Sequence, residues 1–461
     1  MPRSTLRERA CFGVLLVAAL SGLAAAQEKP SPAPTAARPD RLAWWREAKF
    51  GMFIHWGPYS LASVEASWPI MTPGEPGTGE ISEADYRALP QRFNPVHFGP
   101  QAWVQLAQAA GQRYIVFTSK HHDGFCMFDS LFTNYKITRT PYGKDIVAAL
   151  AAACREKGMP LGFYYSPPDM NHPGFRDTSK LARFNWHGEP ERPEWVTYLD
   201  YMELQLGELL SRYGDVAILW FDGLETQKQY NGRRFHRLIH ELQPGTLINN
   251  RIGEPGDYDT PEQFIPDHVP TVSSGAELTG TEPPAKAAGT APVPKPEDFR
   301  PWETCMTINE TWAYNHHDRA YKPAGQLIRT LVEVASKGGN LLLNVGPAPD
   351  GTIQPEFRER LLAIGEWLKA NGDAIYGTTY GPWQNLPFGK TTAKGKNVYL
   401  HIFDWPRGSL EFDAPGAQVR RVTMLATKQE LPFKQTGTRL RIVLPPQAPD
   451  PQVSVLVLST R

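Results

Sequence analysis

The chain has 461 residues, and its 48 Lys plus Arg balance 48 Asp plus Glu, so its formal charge is zero. That length predicts one large domain plus a smaller one, and the missing net field argues against nucleic acid and anionic membranes as partners. Aromatic residues make up 11 %, including 13 Trp, which suits a packed core and also pockets that stack on sugar faces.

At the N-terminus Arg3, Arg7 and Arg9 precede the apolar run Phe12 to Leu23, which ends in Ala24, Ala25 and Ala26 before Gln27. This is the pattern of a secretory signal over 1–26, with cleavage expected after Ala26. The mature protein is expected to be exported, periplasmic or secreted, with no membrane segment. Cys11 leaves with the signal, so Cys126, Cys154 and Cys305 remain, an odd set without metal-type spacing. Residues 27–40 are a Pro/Ala-rich leader, and a second such stretch near Gly280 to Asp298 reads as a loop insertion.

Over 41–375 strand-like runs alternate with longer helical patterns, as in a βα barrel or an open α/β sheet. The strand candidates are FGMFIHWG, YIVFTSKHH, PLGFYYSP, VAILWFDG, TLINNR, ETCMTIN and NLLLNVGP. Segments such as QAWVQLAQAAG and AGQLIRTLVEVASKGG are apolar at helical spacing. Polar residues gather at the C-terminal ends of the strands: His55, His121 and His122, Tyr165, Asp222, and Asn249 with Arg251. In a (β/α)8 barrel those ends converge on the catalytic face. From about Tyr376 the pattern shortens to alternating runs such as SLEFDAP, RLRIVLPP and VSVLVLST, which predict a C-terminal antiparallel β-sandwich over 376–461.

Taken singly, His55 reads as a core histidine, and His121 with His122 as the start of a solvated loop. Metal binding fits poorly, because neighbours on a strand face opposite ways and no HExxH is present. No GxSxG elbow supports serine hydrolysis. Asp222 is the most informative residue: AILWF delivers one carboxylate, followed by Gly223 for a sharp turn. A carboxylate among aromatic rings and neutral hydrogen-bonding groups suits attack on an anomeric carbon, and that chemistry needs a second carboxyl as acid/base. Glu254, Asp257, Asp259, Glu262 and Glu303 are the candidates.

WWREAKFGMFIHWGPYS, RYIVFTSKHHDGFCMFDS, GFYYSP, ILWFDG, NNR, TPEQ, WETCMTINETWAYN and GGNLLLNVGPAPDG together resemble, in this order, the α-L-fucosidases of glycoside hydrolase family 29. The resemblance spans about Arg41 to Tyr376. It implies a retaining exo-hydrolase on a (β/α)8-like barrel, without metal or cofactor, acting on a fucosylated oligosaccharide or glycoconjugate. By resemblance Asp222 is the nucleophile; His55, His121, His122, Tyr165 and Arg251 hold the fucose hydroxyls; Trp68 and Trp220 shape the pocket; and Trp312 meets the sugar methyl. TPEQ is similar to the family's acid/base segment, which favours Glu262 over Glu303, whose apolar surroundings suit a structural carboxylate. Two departures stand out. Ser67 precedes Trp68 where many relatives carry Glu, with Glu65 nearby, and the Pro/Ala insertion falls between Glu262 and Glu303. A non-catalytic fucose-binding protein and a metal-dependent hydrolase are the competing classes.

Overall fold

The computed structural model describes residues 40–71, 81–180, 187–189, 191–223, 229–272, 278–280 and 293–461. The expected signal and nearly all of the leader lie outside the described residues, as does the Pro/Ala stretch over 281–292. Residues Arg41–Arg461 form one compact unit. Among the described residues no helix is long and apolar enough to cross a membrane.

All seven predicted strands form. They are β1 (Phe50–Ile54), β2 (Ile115–Lys120), β3 (Leu161–Tyr165), β4 (Ile218–Phe221), β5 (Leu247–Ile248), β8 (Glu303–Thr307) and β9 (Asn340–Val345). They make one parallel sheet in the order β5-β4-β3-β2-β1-β9-β8. β1 to β4 and β9 are buried along their whole length, which is why they read as continuous apolar runs rather than alternating ones. Between the edge strands runs the segment 258–262, containing β6 (Thr260–Pro261), which pairs with β7 (Thr279–Gly280). Isolated parallel bridges join Asn249 to Tyr258, Asp259 to Trp302 and Glu262 to Cys305. This irregular segment is the eighth stave, and it closes the barrel.

Alternation along the strands then decides what faces inward. Phe53, Tyr114, Val116, Tyr164, Ile218, Trp220, Leu247, Tyr258, Cys305 and Leu342 form an inner cluster. The other side of each strand packs on a helical layer in a separate, larger core. After the short helices α1 (Ala43–Ala48), α2 (Trp68–Met71) and α3 (Glu83–Ala88), that layer comprises α4 (Pro100–Ala109), α5 (Ile146–Lys157), α6 (Pro193–Arg212), α7 (Gly232–Leu242), α8 (Ala324–Ser336) and α9 (Pro355–Asn371). Helix α5 shows how local sequence sets its bounds. The Asp145 side chain accepts from the Ala148 N–H at its start, and Gly158 takes the left-handed φ of 62° at its end.

The C-terminal residues form a five-stranded sheet and a three-stranded sheet. The first runs β10 (Thr379–Tyr380), β11 (Gly389–Lys394), β12 (Asn397–Ile402), β17 (Ser454–Thr460), β14 (Val419–Met424); the second runs β13 (Ser409–Asp413), β16 (Arg439–Val443), β15 (Phe433–Thr436). They enclose their own core around Leu400, Phe412, Val422, Leu440 and Leu456. Cys126, Cys154 and Cys305 are buried and free.

Candidate active site

β4 ends at Phe221, and its inward parity continues from Ile218 and Trp220 to Asp222, so the carboxylate leaves the strand facing the barrel mouth. Arg251 continues β5 and Glu262 ends the eighth stave. The Arg251 guanidinium joins the two acids: Nη1 donates to Asp222 Oδ1 at 2.9 Å and to Glu262 Oε2 at 2.8 Å, while Nη2 donates to the Thr260 carbonyl at 3.0 Å. Both acceptor oxygens lie on one nitrogen, so they are less than about 6 Å apart, an upper bound compatible with the spacing of a retaining carboxylate pair. The guanidinium also lies over the Trp220 ring, 4.9 Å from its centroid.

Asp222 receives two more neighbours. Tyr164 donates its hydroxyl to Oδ2 at 2.8 Å, and His122 Nε2 lies 3.4 Å from the same oxygen. Burial by itself would raise the pKa of this carboxyl, but His122, Arg251 and Tyr164 together reverse that and hold it well below the usual carboxylate range. Asp222 is therefore a charged, oriented carboxylate at neutral pH. It is 14 % exposed, which leaves it accessible from the mouth.

The histidines converge as anticipated. His55 and His121 have ring centroids 5.6 Å apart, and His121 and His122 4.4 Å apart. The two adjacent imidazoles share one site because β2 ends at Lys120, with a register shift between Thr118 and Lys120. Beyond that irregularity the chain no longer alternates faces, so strand parity does not apply to them. Tyr164 lies parallel to His121 at 5.2 Å and nearly parallel to Trp220 at 5.5 Å, giving the pocket an aromatic floor. Trp312 stands 5.0 Å from His55, and Trp68 begins α2 with 38 % of its surface exposed.

Tyr165 is a correction. Its hydroxyl bonds Gln205 of α6 at 2.8 Å, outside the barrel, and the residue in register with Trp220 is Tyr164. The sequence offers two adjacent tyrosines, and only the pairing register shows which one faces inward. Glu303 also faces inward, but at the opposite end of its strand, where it pairs with Asn340. There its carboxyl accepts from Tyr114, from Trp45 Nε1 at 3.3 Å and from Trp220 Nε1 at 3.2 Å. Burial dominates its environment and raises it to about 7. It lies beneath the Trp220 floor. Of the other candidates, Glu254 pairs with Arg233, Asp257 with Arg41 and Asp259 with Arg300.

Ser67 and Glu65 divide the work that the sequence left open. Ser67 is fully buried and its hydroxyl meets His121 Nδ1 at 2.7 Å. Glu65 turns to the neighbouring loop, accepting from the backbone of Trp312 at 2.8 Å and Ala313 at 2.9 Å. Asn344, missed in the sequence as one polar residue within LLLNV, bonds His55 Nδ1 and the Trp312 carbonyl, each at 2.7 Å. Among the described residues no group of three or more His, Cys, Asp or Glu is arranged to hold a metal ion.

Paired carboxylates at the C-terminal rim of a parallel barrel, bordered by aromatic rings and imidazoles, define a glycoside hydrolase site. The family model for alpha-L-fucosidase matches residues 17–373, and the chain belongs to that family, glycoside hydrolase family 29, whose members are retaining α-L-fucosidases. It is similar to the tissue alpha-L-fucosidases of Rattus norvegicus, at 29 % identity over 95 % of this chain and 94 % of that protein, and of Homo sapiens, at 30 % over 88 % and 85 %. Among solved structures, alpha-L-fucosidase isoenzyme 1 from Paenibacillus thiaminolyticus superposes with a TM-score of 0.80 at 35 % identity, covering 92 % of this chain and all of that one. A Bacteroides thetaiotaomicron family 29 enzyme, trapped as a covalent intermediate with 2-fluoro-fucosyl fluoride, gives 0.76 at 26 %, covering 91 % and 96 %.

Proposed function

We propose that this α-L-fucosidase removes terminal L-fucose from fucosylated oligosaccharides or glycoconjugates by double displacement at Asp222, with Glu262 as the acid/base. An Asp222 oxygen bonds to the anomeric carbon as the glycosidic C–O bond breaks, and Glu262 gives its proton to the departing oxygen. Glu262, now a carboxylate, takes a proton from water as that water displaces Asp222, which leaves with its bonding pair. The shared Arg251 nitrogen is the observation that carries this reading, since it keeps both acids within reach of one glycosidic bond. His55, His121 and His122 hold hydroxyls of the sugar, Trp220 is the floor, and Trp68 and Trp312 are the walls. Burying the deoxy methyl of fucose against Trp312 contributes on the order of 1 kcal/mol.

The order of appearance of the anomers of free fucose, followed by NMR during cleavage of an aryl α-L-fucoside, tests the mechanism. α-L-Fucose is expected first; β-L-fucose first would show inversion. Export through residues 1–26 is part of the same proposal, supported by the arginines, the apolar run and the alanines that precede Gln27.

A further inference from the structure

The pocket holds three imidazoles, and what each offers a ligand depends on which ring nitrogen carries hydrogen. Neighbours that can only donate or only accept settle this. Asn344 Nδ2 donates to the Trp312 carbonyl, so its Oδ1 is the atom that faces His55 Nδ1 at 2.7 Å. Oδ1 accepts only; His55 therefore carries hydrogen on Nδ1. The Ser67 hydroxyl has the reverse effect on His121. Its oxygen already accepts the Asp123 N–H at 2.9 Å. Its own hydrogen has, among the described residues, one acceptor: His121 Nδ1 at 2.7 Å. Surrounding bonds hold this arrangement in place, since the Ser67 N–H donates to Tyr86 Oη at 2.9 Å and Tyr86 donates to Asp123 Oδ2 at 3.0 Å. Burial, foremost, lowers His55 to about 4 and His121 well below its ordinary value. Each ring is thus neutral and carries one hydrogen.

We propose that Asn344 and Ser67 are positioning residues that fix His55 and His121 in opposite tautomers, so that the pocket presents an acceptor at His55 Nε2 and a donor at His121 Nε2–H. A sugar hydroxyl at His55 gives its hydrogen, and one at His121 receives one. His122 follows the first pattern at Nδ1. Ser166 spends its hydroxyl hydrogen on the Pro168 carbonyl at 2.6 Å and so accepts from His122 Nδ1–H at 2.5 Å. Recognition is therefore directional. Ser67 does for His121 what no carboxylate in that place would do, because a carboxylate would hold the proton on Nδ1 and turn an acceptor to the pocket.

The sugar-facing consequence rests on the fucosidase reading above, but the tautomers are read in the free enzyme. Long-range proton–nitrogen NMR of protein labelled with 15N-histidine, near pH 7, is expected to show His121 protonated at Nε2 and His55 at Nδ1. His121 protonated at Nδ1, or His55 at Nε2, overturns the proposal. Ser67→Gly supplies the second arm: residue 67 has a φ of 64°, which glycine adopts without strain, so the variant deletes the hydroxyl and keeps the turn. His121 is expected to become a tautomer mixture while His55 is unchanged, and kcat/KM to fall about tenfold, as for loss of one neutral hydrogen bond. Unchanged His121 signals in that variant assign its tautomer to something other than Ser67 and also overturn the proposal. Correct tautomers with no cleavage of any fucoside would count against the functional reading alone.

Discussion

Replacing Arg251 by Met removes the cation shared by Asp222 and Glu262 while keeping a side chain of similar length. Their facing oxygens lie less than about 6 Å apart, and at an effective dielectric near 20 two such charges repel by about 3 kcal/mol. Opposite charge nearby is one of the influences that hold Asp222 well below the usual range, so its loss raises the proton affinity of the nucleophile. A protonated Asp222 cannot attack, so initial rates on an aryl α-L-fucoside from pH 4 to 8 are expected to show an acid limb at higher pH in the variant than in the parent enzyme, on top of a loss of about a hundredfold in kcat/KM. Removing one partner of a buried charge cluster also costs about 3–5 kcal/mol of stability. A variant that keeps the parent pH profile and loses less than about threefold in kcat/KM would refute the view that this guanidinium holds Asp222 charged.

Tyr164→Phe, which deletes the donor to Asp222, should lower kcat/KM about tenfold, whereas Tyr165→Phe should leave it within twofold because its hydroxyl meets Gln205 outside the barrel. Steady-state kinetics of the two variants settle which tyrosine faces the substrate. Glu303, raised by burial to about 7 from an unfolded value near 4.5, binds its proton more tightly when folded. Its favourable contribution is present in full below about pH 4.5 and is lost as pH rises through about 7, a change on the order of 3 kcal/mol. Thermal unfolding followed from pH 5 to pH 8 should therefore decline more steeply for the parent than for Glu303→Gln; parallel curves would contradict that environment.

What could be read from the sequence follows from how local each signal is. The barrel strands were legible because burial on both faces leaves runs such as AILWF and NLLLNV, and the sandwich because strands like β16 alternate exposed and buried residues. The stave at 258–262 was not, since DYDTPE has no apolar run and its bridges go to residues far away in the chain. Asp222, Arg251 and the histidines were found because polar residues at strand ends share a rim. Tyr164 was missed because parity relative to β4 is a property of pairing, and Asn344 because a lone amide among leucines carries no local mark of its partner His55. Ser67 was noticed as a departure, but its bond to His121 spans 54 residues of chain.

Azide rescue of Glu262→Ala tests the central assignment most directly. Loss of the acid should slow natural fucosides, with their poor leaving groups, by orders of magnitude, yet spare formation of the fucosyl-enzyme from an activated aryl fucoside. Loss of the base should let that intermediate accumulate, so added azide should speed turnover and yield fucosyl azide of retained α configuration. Azide rescue of Glu303→Ala, with none for Glu262→Ala, would contradict the account and move the acid/base beneath Trp220.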